Sequence, residues 1–146
     1  MPRFLGFDHI DTRVSSLAAV ERFYDCLLPA LGLAEKKHSH VDADGEWHNV
    51  DETHIPNAAE WFETAESGDT PVFMGVIEDP LMEPTATRIA FRIGSRAELE
   101  GWFERLGEFG AQKVERSADM EAYPAIFFED PAGTKLELCT RNPRTT

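Results

Sequence analysis

The sequence predicts an α+β fold: two tandem βαβββ modules forming a curved mixed sheet around a central cavity. Three observations predict it. Residues 8–28 and 87–107 run in parallel without a gap, each copy passes from a period-two strand into a period-3.6 helix, and each helix is followed by strand-rich sequence. In the duplication His9 falls on Arg88, Val14 on Ile93, Val20 on Leu99, Phe23 on Trp102, Tyr24 on Phe103 and Leu27 on Leu106. With one residue dropped, Leu31-Gly32 then meets Phe109-Gly110.

Each module opens on a strand with alternating faces. Ile10, Thr12 and Val14 oppose His9, Asp11 and Arg13; Ile89, Phe91 and Ile93 oppose Arg88, Ala90 and Arg92. A serine then caps a helix, with capping-box spacing in Ser95-Arg96-Ala97-Glu98. The helices bury Val20, Phe23, Tyr24 and Leu27 in the first copy and Leu99, Trp102, Phe103 and Leu106 in the second. Gly32 and Gly110 end them. Further strands are expected over 34–41, 46–50 and 71–78, and over 111–115, 122–129 and 134–140. Asp42-Ala43-Asp44-Gly45 and Asp130-Pro131-Ala132-Gly133 read as turns. The stretch 57–66 suits a short helix or a strand equally.

A chain of 146 residues suits one domain, with module one at about 4–79, a linker at about 80–86 and module two at about 87–141. Against 14 Lys and Arg stand 27 Asp and Glu, a formal net charge of -13. So acidic a surface repels phosphate backbones and anionic headgroups, so neither nucleic acid nor membrane is an expected partner. A small-molecule ligand is. No secretory signal or membrane span is visible, and a cytoplasmic location is expected. Cys26 and Cys139 lie outside any Cys-x-x-Cys arrangement and read as reduced, structural thiols.

His9 and Glu137 sit on strands near the chain ends, and both are ligand types that suit zinc, nickel, iron or manganese. Arg88, the copy of His9, cannot ligate a cation. Beside Glu137 it would form an ion pair; turned toward a ligand it would offer a forked donor to a carboxylate or enolate oxygen. If Val41 lies opposite Glu46 in the first hairpin, His38 and His40 share a face with Trp47 and Asn49, and His48 takes the other. His54 reads as a loop residue. Tyr123, just before a cavity strand, is the aromatic residue best placed for ligand contact, and Phe127 follows on that strand. No nucleotide-binding glycine loop, phosphate loop or nucleophile elbow occurs. Glu98, Glu100, Glu104 and Glu108 read as a solvated face.

Asp8-His9-Ile10, the Phe23-Tyr24-Asp25 helix running to Leu31-Gly32-Leu33, Arg88-Ile89-Ala90-Phe91, and the segment from Phe127 through Asp130-Pro131-Ala132-Gly133 to Leu138 carry a resemblance. Over residues 4–141 the chain resembles the vicinal oxygen chelate superfamily of glyoxalases, fosfomycin and bleomycin resistance proteins and extradiol dioxygenases. The resemblance implies a metal held by the first and last strands of each module. His9 and Glu137 match two of those four positions; Arg88 stands at a third, and the fourth strand offers no carboxylate before Glu78. It further implies lyase, isomerase or dioxygenase chemistry on a substrate with vicinal oxygens, with Glu137 and Arg88 catalytic. Arg88, Arg92, Tyr123 and Phe127 would bind substrate, and Glu63, Glu78 or His48 would complete the metal set. The alternative is a metal-free protein that sequesters a small molecule or drug, as bleomycin resistance proteins do. A homodimer is expected on the same resemblance.

Overall fold

A computed structural model describes residues 1–64 and 70–141. It divides into two compact units, Met1–Met82 and Glu83–Thr146. The first comprises β1 (His9–Val14), α1 (Leu17–Ala30), β2 (Glu35–Val41), β3 (Trp47–Asn49), β4 (Ala58–Phe62) and β5 (Phe73–Glu78). The sheet order is β1-β5-β4-β2-β3, with β1 parallel to β5 and the other pairs antiparallel. The second comprises β6 (Arg88–Arg92), α2 (Arg96–Glu108), β7 (Gln112–Arg116), β8 (Ala125–Glu129) and β9 (Lys135–Cys139). Its order, β6-β9-β8-β7, repeats the first unit's without the edge strand β3.

The apolar stripes explain how the helices dock. Val20, Phe23, Tyr24 and Leu27 are buried beside Trp61, Met74 and Val76, whose side chains alternate onto the same face of the first sheet. The Trp61 indole N–H still reaches Asp25 Oδ1 at 3.1 Å. In the second unit Leu99, Trp102 and Leu106 are buried with Ile126, Phe128, Leu136 and Leu138. Phe103, expected in that stripe, is only half-buried and carries the Arg116 guanidinium 3.8 Å above its ring.

Both helices begin and end alike. Ser16 Oγ accepts from the Ala19 N–H at 3.3 Å and Ser95 Oγ from the Glu98 N–H at 3.2 Å. Glu98 reaches back to the Gly94 N–H at 3.1 Å, one residue before the cap. At the other end, Gly32 and Gly110 each take φ +97°, so the N–H of Leu33 bonds Leu28 O at 2.8 Å and that of Ala111 bonds Leu106 O at 2.9 Å.

The ambiguous stretch 57–66 forms β4 over Ala58–Phe62, because pairing with β2 and β5 on both sides fixes it as strand; residues 65 and 66 lie outside the described residues. The first hairpin differs from expectation by one residue. Val41 pairs with Trp47, and His40 with His48, so His40 and His48 share a face. The reason is the turn: Asp42 Oδ1 accepts the Asp44 and Glu46 N–H groups, both at 3.0 Å, while the Asp42 N–H bonds Glu46 O. Asp42 therefore sits opposite Glu46 across three residues ending in Gly45 at φ +85°. Asp130 builds the same turn, accepting from Ala132 and Thr134 ahead of β9.

Candidate functional site

The face of each sheet turned away from its helix carries the candidate side chains. In the first unit the pleat lays Asp11, Gly75, Glu60 and Lys37 in one row across β1, β5, β4 and β2. The adjacent row holds His9, Phe73 and Phe62. A cavity of about 370 Å³ opens over these rows, lined by His9, Asp11, Glu60, Ser39 and Lys37, with Trp47 and Phe73 as aromatic walls. Its size suits a small molecule.

His9 is held on two sides. Its Nδ1–H donates to Asp8 Oδ2 at 2.7 Å, its ring stacks on Phe73 at 4.4 Å between centroids, and its Nε2 lies 3.8 Å from Asp11 Oδ2. The hydrogen bond to Asp8 chiefly raises its pKa above the ordinary histidine value; partial burial opposes this and the charges of Asp11, Asp8 and Glu60 add to it. Glu60 is 9% exposed and accepts the Ser39 hydroxyl at 2.8 Å. Gly75 has no side chain to obstruct this floor: a Cβ there would collide with Asp11 Oδ1 and lie 3.8 Å from Glu60 Cγ.

Of the three residues expected to complete the metal set, His48 lines the same cavity as His9, whereas Glu78 and Glu63 are engaged with backbone N–H groups. Glu78 Oε2 accepts the Leu17 N–H at 2.9 Å, at the start of α1, where a carboxylate favours the helix dipole. Glu63 accepts the Val72 N–H at 3.0 Å, and His48 Nε2 is 2.7 Å from Asp42. His38 bonds Glu21. His40, His48 and His54 gather ring to ring, His48 stacking on His54 at 4.3 Å, and each has one nitrogen taken by Ile55 O, Asp42 or Asp51.

In the second unit Glu137 is 5% exposed on β9. The Tyr123 hydroxyl donates to its Oε1 at 2.5 Å, and this bond, then burial and the carboxylate charge, raises the tyrosine pKa. Burial first, and Glu137 second, push the Cys139 thiol up as well. Arg88 does not pair with Glu137. It lies opposite Lys135, whereas Glu137 lies opposite Ala90, so the guanidinium settles 4.6 Å above the Phe127 ring. Tyr123 stacks on Phe127 at 6.5 Å, and Arg92 is exposed at the end of the same face of β6. Tyr123, Phe127, Arg88 and Glu137 are thus neighbours within one unit.

Sequence reading passed over Asp11, Glu60, Ser39 and Lys37. Two signals pointed to Asp11 and none to the others: Asp11 is two residues from His9 and so shares its face, and a glycine inside β5 marks a close approach. Set against a divalent cation, the donors fit in kind. An imidazole whose far nitrogen is fixed by a carboxylate is the usual form of a metal-binding histidine, and the adjacent donors are oxygens. They are not drawn together: among the described residues no group of three or more His, Cys, Asp and Glu side chains is arranged to hold a metal ion.

A sequence profile of the Glyoxalase/Bleomycin resistance protein/Dioxygenase superfamily matches residues 6–138, and the chain belongs to that superfamily. Solved structures share the fold. A mutant of the fosfomycin resistance protein FosX from Listeria monocytogenes, complexed with Mn(II) and 1S,2S-dihydroxypropylphosphonic acid, is 22% identical, with 94% of this chain and 93% of that chain covered and a TM-score of 0.56. A possible glyoxalase from Bacillus cereus is 16% identical over 93% and 99% of the two chains, with a TM-score of 0.59. A glyoxalase/bleomycin resistance protein from Albidiferax ferrireducens T118 is 17% identical over 92% and 98%, also at 0.59. No curated protein sequence matches. Among the described residues no helix is long and apolar enough to cross a membrane.

Proposed function

We propose that the protein is an enzyme of the glyoxalase or dioxygenase kind, performing lyase, isomerase or dioxygenase chemistry on a small substrate with vicinal oxygens. His9 and Glu137 are the side chains that would donate to a divalent cation, zinc, nickel, iron or manganese. The observation that carries this reading is the fixing of His9: Asp8 occupies Nδ1, and the ring stands on a cavity wall with Nε2 facing the Asp11 carboxylate. A bound cation would act as a Lewis acid, polarising both substrate oxygens. Glu137, kept as an acceptor by the Tyr123 hydroxyl, is the carboxylate assigned to proton movement. Arg88, backed by Phe127, offers two parallel donors to an anionic oxygen; Arg92, Tyr123 and Phe127 complete the substrate contacts. A homodimer and a cytoplasmic location belong to the same proposal.

One observation favours a second reading. Among the described residues Arg88 has no carboxylate within 4.0 Å, which suits an arginine reserved for an anionic ligand in a metal-free binding protein. Elemental analysis after purification without chelator separates the two. Near-stoichiometric metal in the wild type, lost in His9→Ala and Glu137→Ala, is the expected result. No metal, together with no gain in heat stability from added zinc, nickel or manganese, would overturn the enzyme reading. Loss of ligand-induced thermal shifts in Arg88→Ala would then establish the second.

A further inference from the structure

We propose that Asp11 is the metal-ligating carboxylate of the first unit, reaching over Gly75 to fill the place that the last strand of that unit leaves without a ligand. This rests on the metal-dependent reading above. The duplication puts His9 on Arg88 and therefore Asp11 on Ala90. In the second unit Ala90 is the cross-strand partner of Glu137; in the first, Asp11 is the cross-strand partner of Gly75. The two pairs occupy the same register position of the same parallel strand pairing, with the residue types exchanged. The carboxylate stands on the last strand in one unit and on the first strand in the other, and a small residue stands opposite each time.

The exchange is spatial as well as sequential. Neighbouring strands run roughly 4.8 Å apart, a gap that an aspartate side chain spans. Asp11 Oδ1 occupies the space that a Cβ at position 75 would need, so the carboxylate covers the backbone of β5 itself, and only glycine leaves it that room. Its other oxygen lies 3.8 Å from His9 Nε2, the nitrogen that Asp8 leaves open. The cavity adds Glu60, nine-tenths buried on the far side of Gly75, which supplies a second negative charge and is fixed through one oxygen by Ser39. Lys37 is the opposing cation on the same wall, and its Nζ donates to Asn49 at 3.3 Å. One imidazole with carboxylate oxygens beside it suits a cation such as Mn(II).

The test is Mn(II) binding to the full chain, measured by calorimetry and by the loss of the free-ion electron paramagnetic resonance signal. The isosteric Asp11→Asn is expected to weaken binding by at least about tenfold, the loss that follows removal of even an outer-shell partner. Asp11→Ala combined with Gly75→Glu, which moves the carboxylate back to the last strand as in the second unit, is expected to regain most of it. Thermal unfolding of each variant confirms that the chain is folded. If Asp11→Asn binds Mn(II) as the wild type does while His9→Ala does not, this assignment is overturned and the metal-dependent reading stands. If the wild type binds no Mn(II), both fall.

Discussion

The two units share one construction and differ where chemistry would occur. Helix caps, left-handed glycines and the order of the four main strands are repeated, whereas the open faces have opposite character. Around His9 the first gathers Asp8, Asp11 and Glu60; around the buried Glu137 the second sets Arg88, Arg92 and Tyr123. The side facing the helix must exclude water in both copies, and this holds its residues to apolar types at fixed spacing. The open side bears no such constraint, so its residues are free to diverge into complementary roles.

The helix side offers the largest effect. Tyr24 and Phe103 occupy corresponding positions, yet Tyr24 is fully buried and Phe103 half-exposed. Tyr24→Ala is expected to cost about 3–5 kcal/mol, as for other large aromatic deletions in a core, and Phe103→Ala clearly less. Urea denaturation measures both. Equal losses would mean that the two helices are packed alike and that the asymmetry at these positions has no energetic content.

Next comes the Tyr123–Glu137 bond, which has no counterpart in the first unit, where Gly75 replaces the glutamate. Tyr123→Phe leaves a buried carboxylate short of a donor and should destabilise by about 1–3 kcal/mol. Glu137→Gln in the same background should cost less than it does alone, giving a coupling of about 0.5–3 kcal/mol in a double-mutant cycle. Strict additivity of the two changes would show that the bond contributes nothing to the second unit.

How far the sequence disclosed this molecule follows from the range of the forces involved. The duplication, both helices, the glycine stops and the face carrying His9 are local or periodic, and a period is visible in a string of letters. The hairpin register was misplaced by one residue because it depends on Asp42 accepting two backbone N–H groups, an arrangement that hydrophobic patterning does not encode. The strand at Ala58–Phe62 is fixed by neighbours distant in sequence. Of the two placements open to Arg88, the one beside Glu137 is not taken: register sets Arg88 against Lys135 and leaves Glu137 to a tyrosine fourteen residues earlier. Glu60 was invisible for the same reason: its relation to Asp11 passes through a glycine on a third strand.

The smallest effect concerns the stretch after β3, the edge strand that has no counterpart among the described residues of the second unit. Asp51 accepts from His54 Nδ1 and from the backbone N–H groups of Thr53 and His54 at 2.8–3.0 Å. The bond from His54 leads these in holding its carboxyl far below the usual carboxylate range. A folded-state pKa below the unfolded value contributes stability at pH above about 4, which is lost as pH falls toward the folded value. Amide exchange of residues 51–54 should therefore accelerate as pH drops from about 5 to 3, after correction for intrinsic rates, and Asp51→Asn should abolish that dependence. Because Asp51 is exposed, global stability should barely move. A large shift in the melting temperature on Asp51→Asn would instead tie this edge of the first unit to its core, and would remove the distinction between a conserved helix side and a locally ordered addition.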